Sequence, residues 1–525
     1  MKKAISIAMA VFLLSASSIF AAGAPSSSKP TPAIPAATLQ PQHGGTLRVV
    51  TDVIPTNFGS PKEVRGGKAP IFGCLEPLAN LDVEGNLVPM LATSWDSDPV
   101  KKTITYHLRK GVKFHDGTEF NAAAAKWNLE QRKAGNQISG GEYIHSIEAV
   151  DAFTVRLNLK QYSALFPHTY ALLSLMYSPT AIQKNGEEGS RTNAVGTGPY
   201  KFVEYRRDAY LKFTRFDGYW GGRPYLDGLE FRIVADPMTA SASLQAGEAD
   251  AWFSTIGVPP KEAADLMQKG FKTNWFPHFI VQLMADTMSP NSPYLKKSVR
   301  EALEYAIDRV SMAKTMGYGL MVPTNQMALP SSAGYNRDYK GRSYDPAKAR
   351  QLLAEAGYPN GFKTKIMIRS GATHRDMATA IQGYLAAVGI DVQLDVADTA
   401  RYTSLSYDMK TTWNNNLFLG TLAVDPGIVY TDMFMRHFKP GLRYASLARS
   451  PEFADLVEKC FAATDLAAVR SLSQQMVKQM ADDVMVIPIL AIPYPIVMQK
   501  YVHTTFLTVP CPGVWDMRSD WMEKK

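Results

Sequence analysis

The chain has few cysteines and no long run of basic residues. Its cysteines are Cys74, Cys460 and Cys511, and three thiols close at most one internal disulfide. This number excludes a disulfide-rich scaffold and is typical of buried, small apolar side chains. Lysine plus arginine exceeds aspartate plus glutamate by 56 to 48, but no dense Lys/Arg tract occurs. The charge therefore gives no footprint for binding nucleic acid.

Motifs for catalysis or metal binding are equally scarce. The sequence contains no HExxH, CxxC, GxSxG or phosphate loop ending in Gly-Lys-Ser/Thr, and its nine histidines are scattered. Ser311 and Lys314 match a serine–lysine acylase pattern, but they lie within a predicted helix. His115-Asp116-Gly117 has the composition of a turn. We therefore predict no catalytic residues, no metal site and no cofactor.

Long apolar runs occur at one end only. Lys2 and Lys3 precede an apolar run that ends at Phe20 and is followed by small residues, which predicts a cleavable secretory signal over residues 1–24. No later segment is apolar for long enough to cross a bilayer. Residues 25–43 hold five prolines and predict a disordered lead-in. We expect a soluble, exported protein.

The remaining sequence alternates between strand and helix patterns. Leu47, Val49 and Val50 predict a first strand, and Asn121 is placed to cap a helix. The segment "KKSVREALEYAIDRVSMAKTM" carries a helical stripe of apolar residues at Val299, Leu303, Ala306, Val310 and Ala313. Asp345 to Gly357 has three agreeing helix signals, namely an Asp cap, Pro346 at the first position and glycine past the end. The strand–helix–strand text over 363–396 favours parallel pairing and an α/β fold.

The stretch "AVGTGPYKF" places Gly196 and Gly198 two residues apart, as in a phosphate-binding loop. A dinucleotide fingerprint needs a third glycine and a helix that begins directly afterwards. Here Pro199 removes a backbone donor, and the alternation that starts at Tyr200 and Phe202 is that of a strand. We interpret this stretch as a backbone passage into a strand.

Nine segments in one order resemble a known family, the extracellular solute-binding proteins of family 5. They are "GGTLRV", "LVPMLATSWD", "TITYHLRKGVKFHDGTEFNA", "AVGTGPYKF", "GYWGGRPYLDGLEFRIVAD", "ASLQAGEADAW", "VREALEYAIDR", "YDPAKARQLLAEAGYPNGF" and "VDPGIVYTDMF". The resemblance implies a periplasmic-binding-protein type II clamshell, with two lobes and an extra subdomain on lobe one. It implies lobe one over 44–78, 195–282 and 498–525, the subdomain over 79–194, and lobe two over 283–497.

The resemblance also implies a function. Such proteins are periplasmic receptors of ABC importers that enclose a peptide-like or other small organic solute by hinge closure. They deliver it to a permease and ATPase complex in the inner membrane, and we expect a monomer without turnover. A receptor for metal chelates or haem is an alternative of the same fold. An exported hydrolase and a holdase for unfolded chains are alternatives from other classes.

Two positions of the family pattern bear on the ligand. Peptide-binding relatives place an aspartate, which pairs with the peptide amine, three residues before the acid of the "DP" pair. Here that pair is Asp425-Pro426, so Leu422 occupies the aspartate position. Because a buried ammonium needs a compensating charge, a free α-amine is not expected to bind in the usual way unless Asp425 or Glu63 replaces the missing acid.

Other candidate ligand-binding residues are also carried over from the family. Arg369 falls near a carboxylate-binding arginine of dipeptide-type relatives. Glu63 and Arg65 lie where relatives send a loop into the cleft. Trp413 and Asn415 are candidates for a pocket wall made of a ring and amides. For each of these residues the alternative to a ligand-binding role is that of a solvated surface charge or a turn residue.

Overall fold

A computed structural model of the chain describes residues 40–64, 68–82, 84–138, 140–172, 174–254, 258–493, 496–505 and 515–524. The expected signal peptide, most of the lead-in, Arg65 and Cys511 lie outside these residues. Cys74 and Cys460 are buried free thiols, as predicted for small apolar side chains. In the part of the chain that is described, no helix has both the length and the apolar character needed to span a bilayer.

The alternating sequence after Gly44 forms a strand at the centre of a seven-stranded sheet. Leu47 and Val49 face one core of this sheet, whereas Val50 faces another. This central strand pairs in parallel with both of its neighbours, and the outer strands are antiparallel. Strands are numbered along the chain, and the sheet order is β12 (Lys272–Asn274), β19 (Ile496–Met498), β11 (Ala251–Phe253), β1 (Thr46–Thr51), β10 (Gly228–Ile233), β9 (Tyr210–Arg215) and β8 (Tyr200–Arg206). The helices α4 (Pro237–Gln245) and α5 (Pro260–Gln268) belong to this part of the chain.

A six-stranded sheet forms from residues 277–493. Its order is β14 (Val322–Pro323), β18 (Ile487–Pro493), β13 (Pro277–Ala285), β17 (Leu417–Ala423), β15 (Lys363–Arg369) and β16 (Asp391–Ala397). β15 and β16 run parallel on either side of a helix in sequence, which confirms the predicted strand–helix–strand unit. The helices of this region are α6 (Lys297–Ala306), α7 (Arg309–Gly317), α8 (Pro346–Glu355), α9 (Ala372–Ala386), α10 (Thr399–Tyr407), α11 (Val429–Phe438), α12 (Pro451–Ala462) and α13 (Leu466–Asp482).

A four-stranded antiparallel sheet forms from the part of the chain between β1 and β8. Its order is β4 (Ala92–Asp98), β5 (Thr103–Leu108), β7 (Thr154–Leu159) and β6 (Ile144–Asp151), with α1 (Ala122–Ala134), α2 (Phe166–Leu172) and α3 (Pro179–Ser190). Asn121 caps α1 as predicted, because its side chain accepts from the Ala124 N–H at 3.1 Å. The short pairs β2 (Ala79–Leu81) with β3 (Leu87–Pro89), and β20 (Val502–His503) with β21 (Trp521–Met522), complete the strands. Single 3-10 turns lie at Ala69–Ile71, Gly141–Tyr143, Pro293–Leu295 and Met517–Ser519.

The chain passes between the two large sheets twice. β12 ends at Asn274 in one sheet and β13 begins at Pro277 in the other. Later in the chain, β18 ends at Pro493 in the six-stranded sheet and β19 begins at Ile496 in the seven-stranded sheet. The lobe boundary after residue 282, expected from the resemblance, therefore falls inside β13. The passage itself lies earlier, at residues 275–276.

The segment with the helical stripe from Val299 to Ala313 forms two helices, because the chain breaks at Ile307 and Asp308. Asp308 caps the second helix by accepting from the Ser311 N–H at 2.9 Å, and the break leaves Val310 67% exposed instead of buried in the stripe. The helix signals of Asp345 and Gly357 are confirmed. Asp345 accepts from the Lys348 N–H at 2.9 Å, and Gly357 has φ +91°.

Candidate functional site

The carboxyl ends of parallel strands are where open α/β sheets bind ligands. In the six-stranded sheet these ends are Arg369 of β15, Ala397 of β16 and Ala423 of β17. β13 runs antiparallel to β17, so its first residues, next to the passage between the sheets, lie at this same edge. The edge therefore brings the end of β17 and the start of β13 together at the junction of the two sheets.

A buried polar pair occupies this junction. Asp425 lies two residues after β17, and its Oδ1 is 3.9 Å from Nδ1 of His278, the second residue of β13. Asp425 is 6% exposed and His278 is 1% exposed. Burial raises the pKa of Asp425 to about 7, with Asp432 adding to the shift and Arg436 opposing it. Burial lowers the pKa of His278 to about 3, so both side chains are neutral between these values.

We expect the carboxyl of Asp425 to make the protein less stable as the pH rises. From its ordinary pKa of 3.8 up to about 7, the folded chain keeps this proton while the unfolded chain loses it. The contribution of Asp425 to the free energy of unfolding therefore falls over this interval and is flat above it, whereas that of His278, whose pKa is lowered, rises between about pH 3 and 6.5. Asp425→Asn should remove this contribution. Relative to the natural chain, the variant should therefore be more stable at pH 8 than at pH 4 by about 4 kcal/mol, since a pKa change of one unit corresponds to about 1.4 kcal/mol.

Urea unfolding at pH 4, 5.5 and 8 measures this difference. Asp376→Asn, at an exposed carboxyl on α9, removes the same charge and should leave the slope unchanged. Equal slopes for Asp425→Asn and the natural chain would contradict the protonated state assigned to Asp425.

Leu422 is fully buried on β17, opposite Ile280 of β13. It belongs to the apolar cluster that includes Phe418 and Ile280, so the position presents no charge. Arg369 lies at the exposed end of β15, and its guanidinium forms no ion pair with any described residue. The pKa of His374 is lowered to about 4, chiefly by burial and further by the charge of Arg369. The carboxyl edge thus carries the guanidinium of Arg369, which has no ion-pair partner among the described residues, and the buried pair of Asp425 and His278.

Glu63, Trp413 and Asn415 do not join this group. Glu63 pairs with Arg191, whose Nε is 3.0 Å from Oε2, and remains 35% exposed. Trp413 is 1% exposed, stacks on Phe418 at 5.1 Å and lies at the amino end of β17. Asn415 precedes the same strand, and its N–H donates to Asp286 at 2.9 Å. The length of β17, roughly 20 Å for a strand of this size, separates these two residues from Asp425.

Two of the family-pattern segments, "AVGTGPYKF" and "GYWGGRPYLDGLEFRIVAD", meet at a buried carboxyl group that no sequence pattern indicated. Glu76 is 1% exposed and accepts from Tyr219 at 2.6 Å, from Thr197 at 2.7 Å and from Trp220 at 2.9 Å. The guanidinium of Arg109 lies 4.3 Å above the Trp220 ring. Hydrogen bonds to Glu76 therefore join residues 74–77, 196–200 and 218–222 into one structural joint.

The glycines of "AVGTGPYKF" belong to the same joint. The N–H of Gly198 donates to the Cys74 oxygen at 3.0 Å, and that of Tyr200 donates to Gly73 at 2.8 Å. β8 begins at Tyr200. The interpretation of this stretch as a passage into a strand is confirmed.

Comparison with known families decides what kind of protein carries this site. Residues 86–426 match the family model described as bacterial extracellular solute-binding proteins, family 5 Middle. The chain belongs to family 5. A relative of this family 5 protein, the glutathione-binding protein GsiB of Escherichia coli K12, is 37% identical over 332 residues, which cover 62% of this chain. The match spans 64% of the length of GsiB, and the same share holds for GsiB of Shigella flexneri.

Solved structures carry the same fold as this family 5 protein. The ABC transporter substrate-binding protein CtaP of Listeria monocytogenes superposes with a TM-score of 0.80 at 21% identity, covering 92% of this chain and all of CtaP. AgaA of A. tumefaciens R10, in complex with agropinic acid, is 25% identical with a TM-score of 0.73, and covers 92% of this chain and 99% of its own. The expected α/β clamshell of type II is thereby confirmed.

The serine–lysine pattern has a structural role in this family 5 protein. The Ser311 hydroxyl donates to Asp308 Oδ2 at 2.6 Å in the first turn of α7, which completes the helix cap. Lys314 lies one turn further along the same helix. The hydroxyl is held by a capping carboxylate, so the arrangement is that of a helix start.

Proposed function

We propose that this chain is the substrate-binding receptor of an ABC importer. It captures a peptide-like or other small organic solute between two lobes and hands it unaltered to a permease and ATPase complex. The observation that carries the proposal is the pair of large sheets joined by two passages, with the carboxyl edge of one sheet at the junction. Two lobes linked in this way close by a hinge, and ligand contacts from both lobes stabilise the closed form.

The proposed lobes follow the sheets. Lobe one holds the seven-stranded sheet, lobe two comprises residues 277–493, and the four-stranded sheet within 79–194 is the extra subdomain. The proposal includes export through a signal over 1–24, action as a monomer in the periplasm, and no catalytic activity.

The ligand we propose is a small peptide-like anion. Two features support it: a leucine at the position that carries the amine-binding acid in peptide receptors, and the guanidinium of Arg369, which no ion pair in the described part of the chain compensates. The relative GsiB is named for glutathione, a tripeptide with two carboxylates. Because Leu422 offers no counter-charge, acetylation of a ligand's amine should cost little affinity, whereas loss of a carboxylate should cost much.

Calorimetric titration with glutathione, di- and tripeptides and their N-acetylated forms tests this proposal. Arg369→Gln should weaken binding of a carboxylate ligand by at least about tenfold, because a charge-assisted hydrogen bond contributes roughly 1.5–3 kcal/mol. Arg375→Gln, at an exposed arginine on α9, is the matched control and should bind as the natural chain does. Tight peptide binding that is lost on acetylation would overturn the ligand class.

Native mass spectrometry separates the receptor from the hydrolase alternative. A receptor should carry its solute in a stoichiometric complex in the native spectrum, and mass spectrometry of the small molecules released on denaturation should recover that solute intact. Recovery of cleaved solute after incubation with the purified protein would contradict the proposed function.

A further inference from the structure

The subdomain meets lobe two through backbone contact at the candidate site. The turn between β2 and β3 carries Gly85, whose φ is +81°, and a Cβ there would lie 2.8 Å from both the carbonyl carbon and the oxygen of Pro426. A Cβ on Gly427 would likewise lie 2.9 Å from the oxygen of Glu84. The two glycines thus let the turn rest directly on the loop that follows Asp425.

A second contact joins the same two parts. The Phe461 ring, at the end of α12, lies 4.8 Å from the ring of Tyr143 and 5.4 Å from that of Phe166. Beside this aromatic group, the N–H of Ala164 donates to the oxygen of Ala463 at 2.9 Å. Buried side chains of the subdomain and of lobe two form one continuous apolar cluster around it.

These contacts bridge parts that are not covalent neighbours. The chain enters and leaves the subdomain from lobe one, whereas Gly427 and Phe461 belong to the segment 277–493. A swing of lobe two away from lobe one therefore separates Gly85 from Gly427, and Phe461 from Tyr143. Packed interfaces of this kind have discrete formed and broken states.

We propose that the subdomain is the latch of the receptor: its Gly85 turn and its Tyr143–Phe166 pair pack against lobe two and stabilise the closed form. The proposal rests on the two-lobed function above. It assigns to the subdomain control over the ratio of open to closed receptor, and hence over the apparent affinity for any solute, without contact with that solute.

A matched pair of glycine variants tests the latch. Gly85 and Gly117 both lie in turns of the subdomain, with φ of +81° and +87°, but a Cβ at Gly117 meets no atom within 4 Å. Gly85→Ala and Gly117→Ala therefore carry similar backbone strain, and only Gly85→Ala wedges the subdomain from lobe two. Hydrogen exchange at the Ala164 amide, measured without solute and with glutathione, reports the latch directly. We expect exchange to be about tenfold faster in Gly85→Ala than in Gly117→Ala. This corresponds to a tenfold increase in the ratio of open to closed receptor.

Phe461→Ala and Phe461→Leu provide an independent pair of variants. The alanine should accelerate exchange at Ala164 and enlarge the radius of gyration in solution scattering, whereas leucine should retain most of the protection. Tyr344→Ala, which removes a ring pair internal to lobe two, controls for loss of an aromatic side chain. Equal protection in Gly85→Ala and Gly117→Ala would overturn the latch, whatever solute binds. Failure of every solute to bind to the natural chain would instead count against the proposed function.

Discussion

A Gly196→Ala chain should fail to accumulate as a stable protein. A Cβ at this position would lie 2.1 Å from the Cys74 oxygen and 2.8 Å from Leu75 Cδ2. The Cys74 oxygen already accepts the Gly198 N–H at 3.0 Å, so it cannot retreat without losing that bond. We expect a loss of about 3 kcal/mol or more, at the upper end for overpacking, because a backbone atom must move.

Soluble yield and urea unfolding followed by circular dichroism measure this loss. Gly383→Ala is the control, since this exposed glycine lies within α9 and a Cβ there meets no atom within 4 Å. The control should gain about 0.5–1 kcal/mol from the better helix propensity of alanine. Similar stabilities for Gly196→Ala and Gly383→Ala would show that the backbone around Cys74 can move to accommodate a methyl group at position 196.

Glu76→Ala should destabilise the protein by about 3–5 kcal/mol. The substitution leaves three donors without their acceptor, on the buried Thr197 and Tyr219 and on the half-buried Trp220, and each unmet buried donor costs roughly 1–3 kcal/mol. Glu76→Gln should have a stability between those of Glu76→Ala and the natural chain. Its amide oxygen still accepts a hydrogen bond, while its NH2 group faces a donor.

Thermal and urea unfolding of both variants at one pH check this order. Glu248→Ala removes an exposed carboxylate and should change the free energy of unfolding by less than about 0.5 kcal/mol. If Glu76→Ala were as mild as Glu248→Ala, the carboxylate would not be what joins the three segments.

Local signals in the sequence were reliable where all their partners lie within one turn. Asn121 and Asp345 accept from N–H groups three residues ahead, so a window of a few residues contains the whole interaction. The break before α7 has the same local origin, in Asp308 and Ser311, but an apolar stripe at helical spacing concealed it. Periodicity reports which faces are apolar, whereas a cap decides where a helix begins.

Partners distant along the chain could not be predicted in this way. Glu63 and Arg191 are 128 residues apart, and Glu76 is more than 120 residues from each of its three donors. Trp413 had the composition of a pocket wall, yet a ring that stacks on Phe418 within one core has the same local sequence. These outcomes depend on tertiary packing, which single-sequence patterns do not contain.

The candidate site could be predicted from the sequence only in part. The "DP" motif pointed to Asp425, but nothing near His278 in the sequence indicates that the start of β13 reaches the end of β17. The antiparallel register of two strands separated by more than 130 residues creates this pair. Whether an acid is a solvated loop charge or a buried neutral group depends on such pairings.

The order of strands in the seven-stranded sheet determines when this sheet can be completed during synthesis of the chain. All six strands of the other sheet are present once residue 493 has emerged. In the seven-stranded sheet, β19 lies between β11 and β12, so β12 has no neighbour until residues 496–498 arrive. A chain that stops after residue 493 therefore retains one complete sheet and leaves a gap in the other.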